Sequence, residues 1–283
     1  TVDARTHSAS GWSGESTRDG VVSPVNEWLP SVAVIIPNHD RVTELQEAVD
    51  SVGLQDYRGQ ITIYVVYRYR PGIENVLSDL PVKVVPVMSS DESGRNSIAV
   101  KRNLGLDAGT EDLVAFLDDD DIWHPGKLSA QVAVFQRSTT AVAVGSRPCY
   151  FSDRPMWRSL TPDGSFRERS RRQVISGRYF GTSSLLVDGA AARELRFDER
   201  PDWLALEDYD FKIRLSQLGL MREVRGRYTA YRNNIASISV EERRHTLLRA
   251  LSVLAASAER DPLRLPQQLV ALRLLVVSTF GGF

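Results

Sequence analysis

The chain has 283 residues, enough for one large domain or two modest ones, and its 42% hydrophobic and 25% charged content is that of an ordinary globular protein. A formal charge of −1 excludes a strongly basic nucleic-acid binder, and the single cysteine, Cys149, excludes an internal disulfide framework. No apolar run approaches the roughly 20 residues that span a bilayer, and no secretory pattern opens the chain, so the expectation is a soluble cytoplasmic enzyme.

Residues 1–30 are rich in Ser, Thr, Gly and Asp and read as a flexible leader. Val32 to Ile36 is a continuous β-branched run stopped by Pro37, the pattern of a strand buried on both faces. Val42, Leu45, Val49 and Val52 then share one face of a helix over Arg41 to Gln55, with Asp40 as its expected N-cap. Further strands are expected at Ile61 to Val66, Val82 to Val87 and Leu113 to Leu117, with a helix from Ser97 to Ala108 between the last two. Pro125 to Gln136 reads as helix, Ser146 to Arg178 as loops with short strands, Gly181 to Val187 as strand and Leu206 to Leu218 as helix. Two closing helices, Arg243 to Ala258 and Leu265 to Thr279, complete the chain. Strands alternating with helices imply an α/β fold with a mainly parallel sheet, whose ligand crevice lies at the carboxyl ends of the strands.

Asp118, Asp119, Asp120 and Asp121 follow directly on the fourth strand. An acidic run is usually a solvated patch, but this one sits where such a sheet opens its crevice. Crowded carboxylates repel one another unless a cation is shared. A hard divalent ion such as Mg²⁺ or Mn²⁺ takes one or two carboxylates together with substrate phosphates. In an extended turn Asp118 and Asp120 face one side and Asp119 another, so the first two form the expected ion site. Asp208 falls on the same helical face as the apolar residues Phe211, Leu215 and Leu218. A carboxylate there is costly unless it caps the helix or works in a pocket.

The string from Phe116 through the four aspartates to Leu128 resembles the DxD segment of family 2 glycosyltransferases, inverting enzymes of the GT-A fold. Val34 to Arg41 resembles that family's first strand and donor-base loop, Lys101-Arg102-Asn103 its Ala-Arg-Asn helix start, and Glu207-Asp208 the acidic pair that carries its catalytic base. These four segments occur in the family's order between Ser31 and Ser239. The resemblance implies a GT-A domain over 31–240 with a C-terminal helical extension over 241–283. It implies a hexosyl-type transferase using a nucleotide-diphosphate sugar, with Asp208 as general base. Metal binding falls mainly to Asp120 with Asp118, and ribose binding to Asp119. Pro37, Asn38 and His39 would line the donor-base pocket, Arg102 would reach the nucleobase or the pyrophosphate, and Trp203 and Glu207 would face the acceptor.

One segment departs from the family pattern. Where relatives carry an acidic, uracil-reading run after the second strand, this chain has Tyr67 and Arg68, which are expected to stack on a base or reach its carbonyls. The Arg-rich stretch from Arg167 to Arg178 reads either as a closing lid or as a solvated loop, and the C-terminal helices as a sheet cover, a homodimer surface or a peripheral membrane contact. The alternatives to a transferase are a sugar-1-phosphate nucleotidyltransferase, whose glycine-rich loop is missing after the first strand, and a non-catalytic relic that binds nucleotide sugars. The acceptor (saccharide, lipid carrier, peptide or natural product) is open at this stage.

Overall fold

A computed structural model describes residues 29–39, 41–89, 97–138, 140–152, 165–175, 180–200 and 207–233. Most of the leader, Asp40, Trp203 and both closing helices lie outside these residues. Among the described residues, no helix is long and apolar enough to cross a membrane.

The first half of the chain lays down β1 (Val32–Pro37), α1 (Val42–Gly53), β2 (Ile61–Arg68), α2 (Ile73–Ser78), β3 (Val85–Ser89), α3 (Ser97–Ala108) and β4 (Leu113–Phe116). Strands β3, β2, β1 and β4 lie side by side in that order, all parallel. Alternation along β1 feeds two cores. Val32, Val34 and Ile36 meet Leu45, Val49 and Val52 of α1 on one face of the sheet. Ala33 and Ile35 meet Ala99 and Leu106 of α3 on the other. Burying β1 on both sides requires α3 to approach closely. Gly105 allows this, because a Cβ there would lie 2.4 Å from Ile35 Cγ2.

The second half is mixed. It contains β5 (Ile122–Trp123), α4 (Lys127–Arg137), β6 (Ala141–Phe151), β7 (Phe166–Arg169), α5 (Arg171–Ile175), β8 (Leu186–Asp188), α6 (Gly189–Leu195), α7 (Glu207–Leu218) and β9 (Leu220–Arg232). The sheet continues from β4 through β8, β6 and β9 to β5, with β7 paired to β9. The result is a mixed α/β domain whose central sheet is mainly parallel, with β8 antiparallel to β4 and β6 and β5 and β7 antiparallel to β9, and with helices on both faces.

Several expectations need correction. The third strand begins at Val85 rather than Val82, and Gly181 to Val187 is a short 3₁₀ turn at Thr182–Ser184 before β8. The region read as loops from Ser146 opens inside an eleven-residue strand, β6, that pairs in parallel with β9 across register shifts around Ser146, Arg147 and Pro148. Strand β9 and helices α2 and α6 had no counterpart in the sequence reading. Part of the Arg-rich stretch is an edge strand and a short helix rather than loop.

Candidate active site

β4 ends at Phe116, paired with Ile35, and β1 runs two residues further to Pro37, so the Asn38–His39 loop and the acidic turn emerge on the same edge of neighbouring strands. Asp118 and Asp120 keep side-chain exposures of 33% and 18%, whereas Asp119 keeps 1%. The two-residue alternation therefore holds through the turn. Asp119 faces inward, where it accepts hydrogen bonds from Asn38 Nδ2 at 3.1 Å, from the His39 N–H and from Arg41. Burial pushes its carboxyl up to about 7, against the opposing pull of the His39 N–H and Arg41. Both of its oxygens are thus engaged in tying the first loop to the acidic turn, a task the sequence reading did not foresee for a ribose ligand. Asn38 is buried with its amide on Asp119, and burial, reinforced by Lys101, holds the His39 imidazole down at about 4 and hence neutral.

Crowding of the four acids is relieved by arginines. Arg41 also pairs with Asp120, and Arg102 Nη2 lies 2.8 Å from Asp118 Oδ1. Asp121 is buried, which raises its carboxyl well above the usual range, and it accepts from the Arg232 N–H at 3.3 Å.

Helix α3 brings three consecutive polar residues into this neighbourhood. Lys101 Nζ donates to the Asn38 carbonyl at 2.6 Å, Arg102 holds Asp118, and Asn103 is fixed to the Phe197 backbone through both its amide N and O. Arg102 is 2% exposed and lies over the Phe197 ring, so it is a buried bridge and not a surface arginine. Its second nitrogen, Nη1, donates at 3.0 Å to Glu207 Oε1 at the start of α7. Glu207, expected on the acceptor side, is itself buried, and burial raises its carboxyl.

Asp208 is the next residue. Its carboxylate accepts from Lys212 Nζ at 2.6 Å, one helical turn on, and from Thr182 Oγ1 at 3.0 Å. Burial works to raise this carboxyl, but the Lys212 ammonium, followed by Arg102 and the Thr182 hydroxyl, outweighs it and holds the group below its ordinary value. Thr182 has a second consequence for the site. Its neighbour Ser183 accepts a hydrogen bond from the Asp118 N–H at 3.1 Å. The 3₁₀ turn therefore touches Asp208 with one residue and the acidic turn with the next. Asp210 is turned away into an ion pair with Arg214, and Tyr209 is a buried core residue.

Tyr67, offered above as a stacking surface, is packed into the core beside α1 and α2, while Arg68 is exposed at the end of β2. Pro37 is buried at the end of β1. Arg41 belongs to the segment matched to the donor-base loop but was given no role of its own, and Thr182, Ser183, Lys212 and Arg232 had no place in the expected site. Of these, Lys212 alone carried a sequence signal, its four-residue spacing from Asp208.

The residues present suit a hard divalent cation. Asp118 and Asp120 offer carboxylate oxygens on the exposed side of the turn. Among the described residues no cluster of three or more ligating side chains would complete a protein-only shell. That donor set is typical of an ion completed by phosphate oxygens.

Three comparisons bear on this site. Residues 30–231 match the family described as "Glycosyltransferase like family 2". The chain is 27% identical over 212 residues to the amylovoran biosynthesis glycosyltransferase AmsB of Erwinia amylovora, covering 67% of this chain and 65% of that protein. It is also 30% identical over 116 residues to a glucosyl-dolichyl phosphate glucuronosyltransferase of Haloferax volcanii, covering 41% and 36%. The chain thus spans less than two thirds of either relative. Among structures, Staphylococcus aureus TarS in complex with UDP-GlcNAc superposes with a TM-score of 0.66 at 14% identity, covering 89% of this chain and 73% of that one. The Pyrobaculum calidifontis mannosyltransferase PcManGT, in complex with GDP-Man and Mn²⁺, gives 0.61 at 17%, covering 89% and 70%. At such identities these likenesses establish the fold.

Proposed function

The chain belongs to the glycosyltransferase-like family 2, and from that premise we propose that it moves a sugar from a nucleotide-diphosphate donor to an acceptor hydroxyl with inversion. The observation that carries this reading is the double link between the two acidic elements. Arg102 grips Asp118 with one nitrogen and Glu207 with the other, and the Thr182–Ser183 turn contacts Asp208 on one side and Asp118 on the other. Two acidic elements far apart in sequence are thereby held beside each other, the proximity a displacement at a sugar carbon requires.

In this reading Asp208 accepts the proton of the acceptor hydroxyl as that oxygen bonds to the anomeric carbon from the face opposite the phosphate. The carbon–oxygen bond to the phosphate breaks, and the nucleoside diphosphate departs. One displacement inverts the anomeric configuration. Asp118 and Asp120 would hold the Mn²⁺ or Mg²⁺, which when bound supplies Lewis-acid stabilisation of the leaving diphosphate. Asp119 and Asn38 keep the first loop seated against the acidic turn, and Arg68, exposed at the end of β2, would meet the nucleobase. The ion pair with Lys212 keeps Asp208 ionised near neutrality, the state a base must start from. Incubation with a panel of nucleotide sugars and Mn²⁺ is expected to release nucleoside diphosphate; release of pyrophosphate or of no product would overturn the reading. Asp120→Ala is expected to weaken Mn²⁺-dependent donor binding about a hundredfold or more, as removal of a metal-borne interaction of several kcal/mol demands, measurable by calorimetric titration.

The Lys212 pair also gives a pH prediction. The basic form of Asp208 exists above its pKa and is lost as pH falls through it. Lys212 holds that pKa down, so Lys212→Met is expected to move the acid limb of the rate profile to higher pH while leaving the neutral plateau in place. An acid limb that did not move would remove Asp208 from the titrating role.

A further inference from the structure

Beyond the acidic turn, β6, β7 and β9 gather three arginines around a single carboxylate. Arg147 Nε lies 3.2 Å from Glu223 Oε1, Arg169 Nε lies 2.6 Å from Oε2, and Arg167 also pairs with Oε1. Glu223 is 4% exposed, whereas Arg147 is 60% and Arg167 40% exposed. Among the described residues, one negative charge against three leaves a net charge of two positives. Along β7 the intervening Glu168 does not offset it, because it pairs with Arg222 instead. A purely structural ion pair would need one arginine; the second and third add mutual repulsion unless an anion is bound.

These groups line a pocket of about 410 Å³ together with Ser146 and Phe180. Ser146 is fully buried, yet its hydroxyl has no hydrogen-bond partner, and neither does Arg167 Nε. Buried polar atoms are normally paired, so these two mark positions where a ligand oxygen completes the set. The pocket adjoins the proposed base. The Phe180 carbonyl accepts from Lys212 Nζ at 3.3 Å, the same ammonium that holds Asp208. Two residues along the chain, Thr182 donates to Asp208.

Resting on the transferase reading above, we propose that this pocket is an acceptor subsite for a phosphate group, so that the acceptor is a phosphorylated molecule whose hydroxyl reaches Asp208. Paired guanidinium forks match phosphate oxygens in geometry and charge, and Glu223 acts as the clamp that holds them in position. The phosphate belongs either to a monoester or to a diester within a chain.

The test is calorimetric titration of the full chain in EDTA with inorganic phosphate, with glycerol 3-phosphate and with glycerophosphoglycerol. Tighter binding of the second identifies a monoester acceptor, and of the third a diester. The Arg147→Gln/Arg167→Gln double variant should lose at least about tenfold in affinity, as removal of two charge-assisted hydrogen bonds implies. Arg196→Gln, which pairs with Asp107 and does not line the pocket, should bind like the parent. If the double variant does not fold, Arg147→Gln alone, at the most exposed of the three arginines, carries the comparison. Failure of all three probes to bind, or equal affinity in parent and folded variant, overturns the proposal. No nucleotide sugar enters these titrations. Absence of donor turnover would therefore sink the transferase reading while phosphate binding was read separately.

Discussion

Asp208→Asn is expected to lower sugar transfer by about 10²- to 10⁴-fold, the contribution of a positioned general base, while leaving donor affinity essentially unchanged. The substitution preserves shape, so the hydrogen bond from Thr182 Oγ1 survives. It removes the lone pair that would take the acceptor proton and the charge that faces Lys212. Lys212 is fully buried, and burial already lowers its pKa; without Asp208 its neutral form is favoured further, which spares the variant an unpaired buried ammonium. Loss of transfer therefore reports chemistry and not collapse of the site. The measurements are nucleoside diphosphate release, donor dissociation constant and melting temperature on the same preparation. Near-normal turnover with intact donor binding would dismiss Asp208 as the base.

Arg102→Met is expected to destabilise the protein by about 3–5 kcal/mol, the cost of breaking a buried ion pair by removing one partner. The guanidinium stands between Asp118 and Glu207, and its removal leaves Glu207, 5% exposed by side chain, without its cation and beside another carboxylate. Oε2 of Glu207 has no hydrogen-bond partner even with Arg102 present, so Arg102 is the one cation that hydrogen-bonds this carboxylate among the described residues. Urea denaturation reads the loss directly. Adding Glu207→Gln should recover part of it, because the neutral amide no longer requires a cation, and the double-variant cycle measures the coupling. A loss below about 1 kcal/mol would reduce the bridge to a screened surface pair.

Much of the parallel half of the sheet was readable from the chain itself. The apolar runs Val32 to Ile36 and Ile61 to Val66 lie within β1 and β2, strands whose centres are covered on both faces, and α3 runs from Ser97 to Ala108 as expected. Strands β6 and β9 were not readable. β6 carries Gly145 and Pro148, and β9 carries four arginines and Gly226 at a φ of 122°. Neither shows a two-residue pattern, and what makes them strands is their pairing with each other from opposite ends of the domain.

The site divides along the same line. Consecutive residues and short spacings determined the acidic turn at the end of β4, the inward turn of Asp119 between two more exposed aspartates, and the carboxylate at the head of α7. These depend on the two-residue period of extended backbone and on the periodicity of one helix, which a linear chain encodes locally. The tertiary structure alone decided that Arg102 joins Asp118 to Glu207, that Thr182 and Ser183 bridge Asp208 to the turn, and that three arginines converge on Glu223. Each of those contacts links residues brought together only by folding, where low local dielectric and burial select which charges meet.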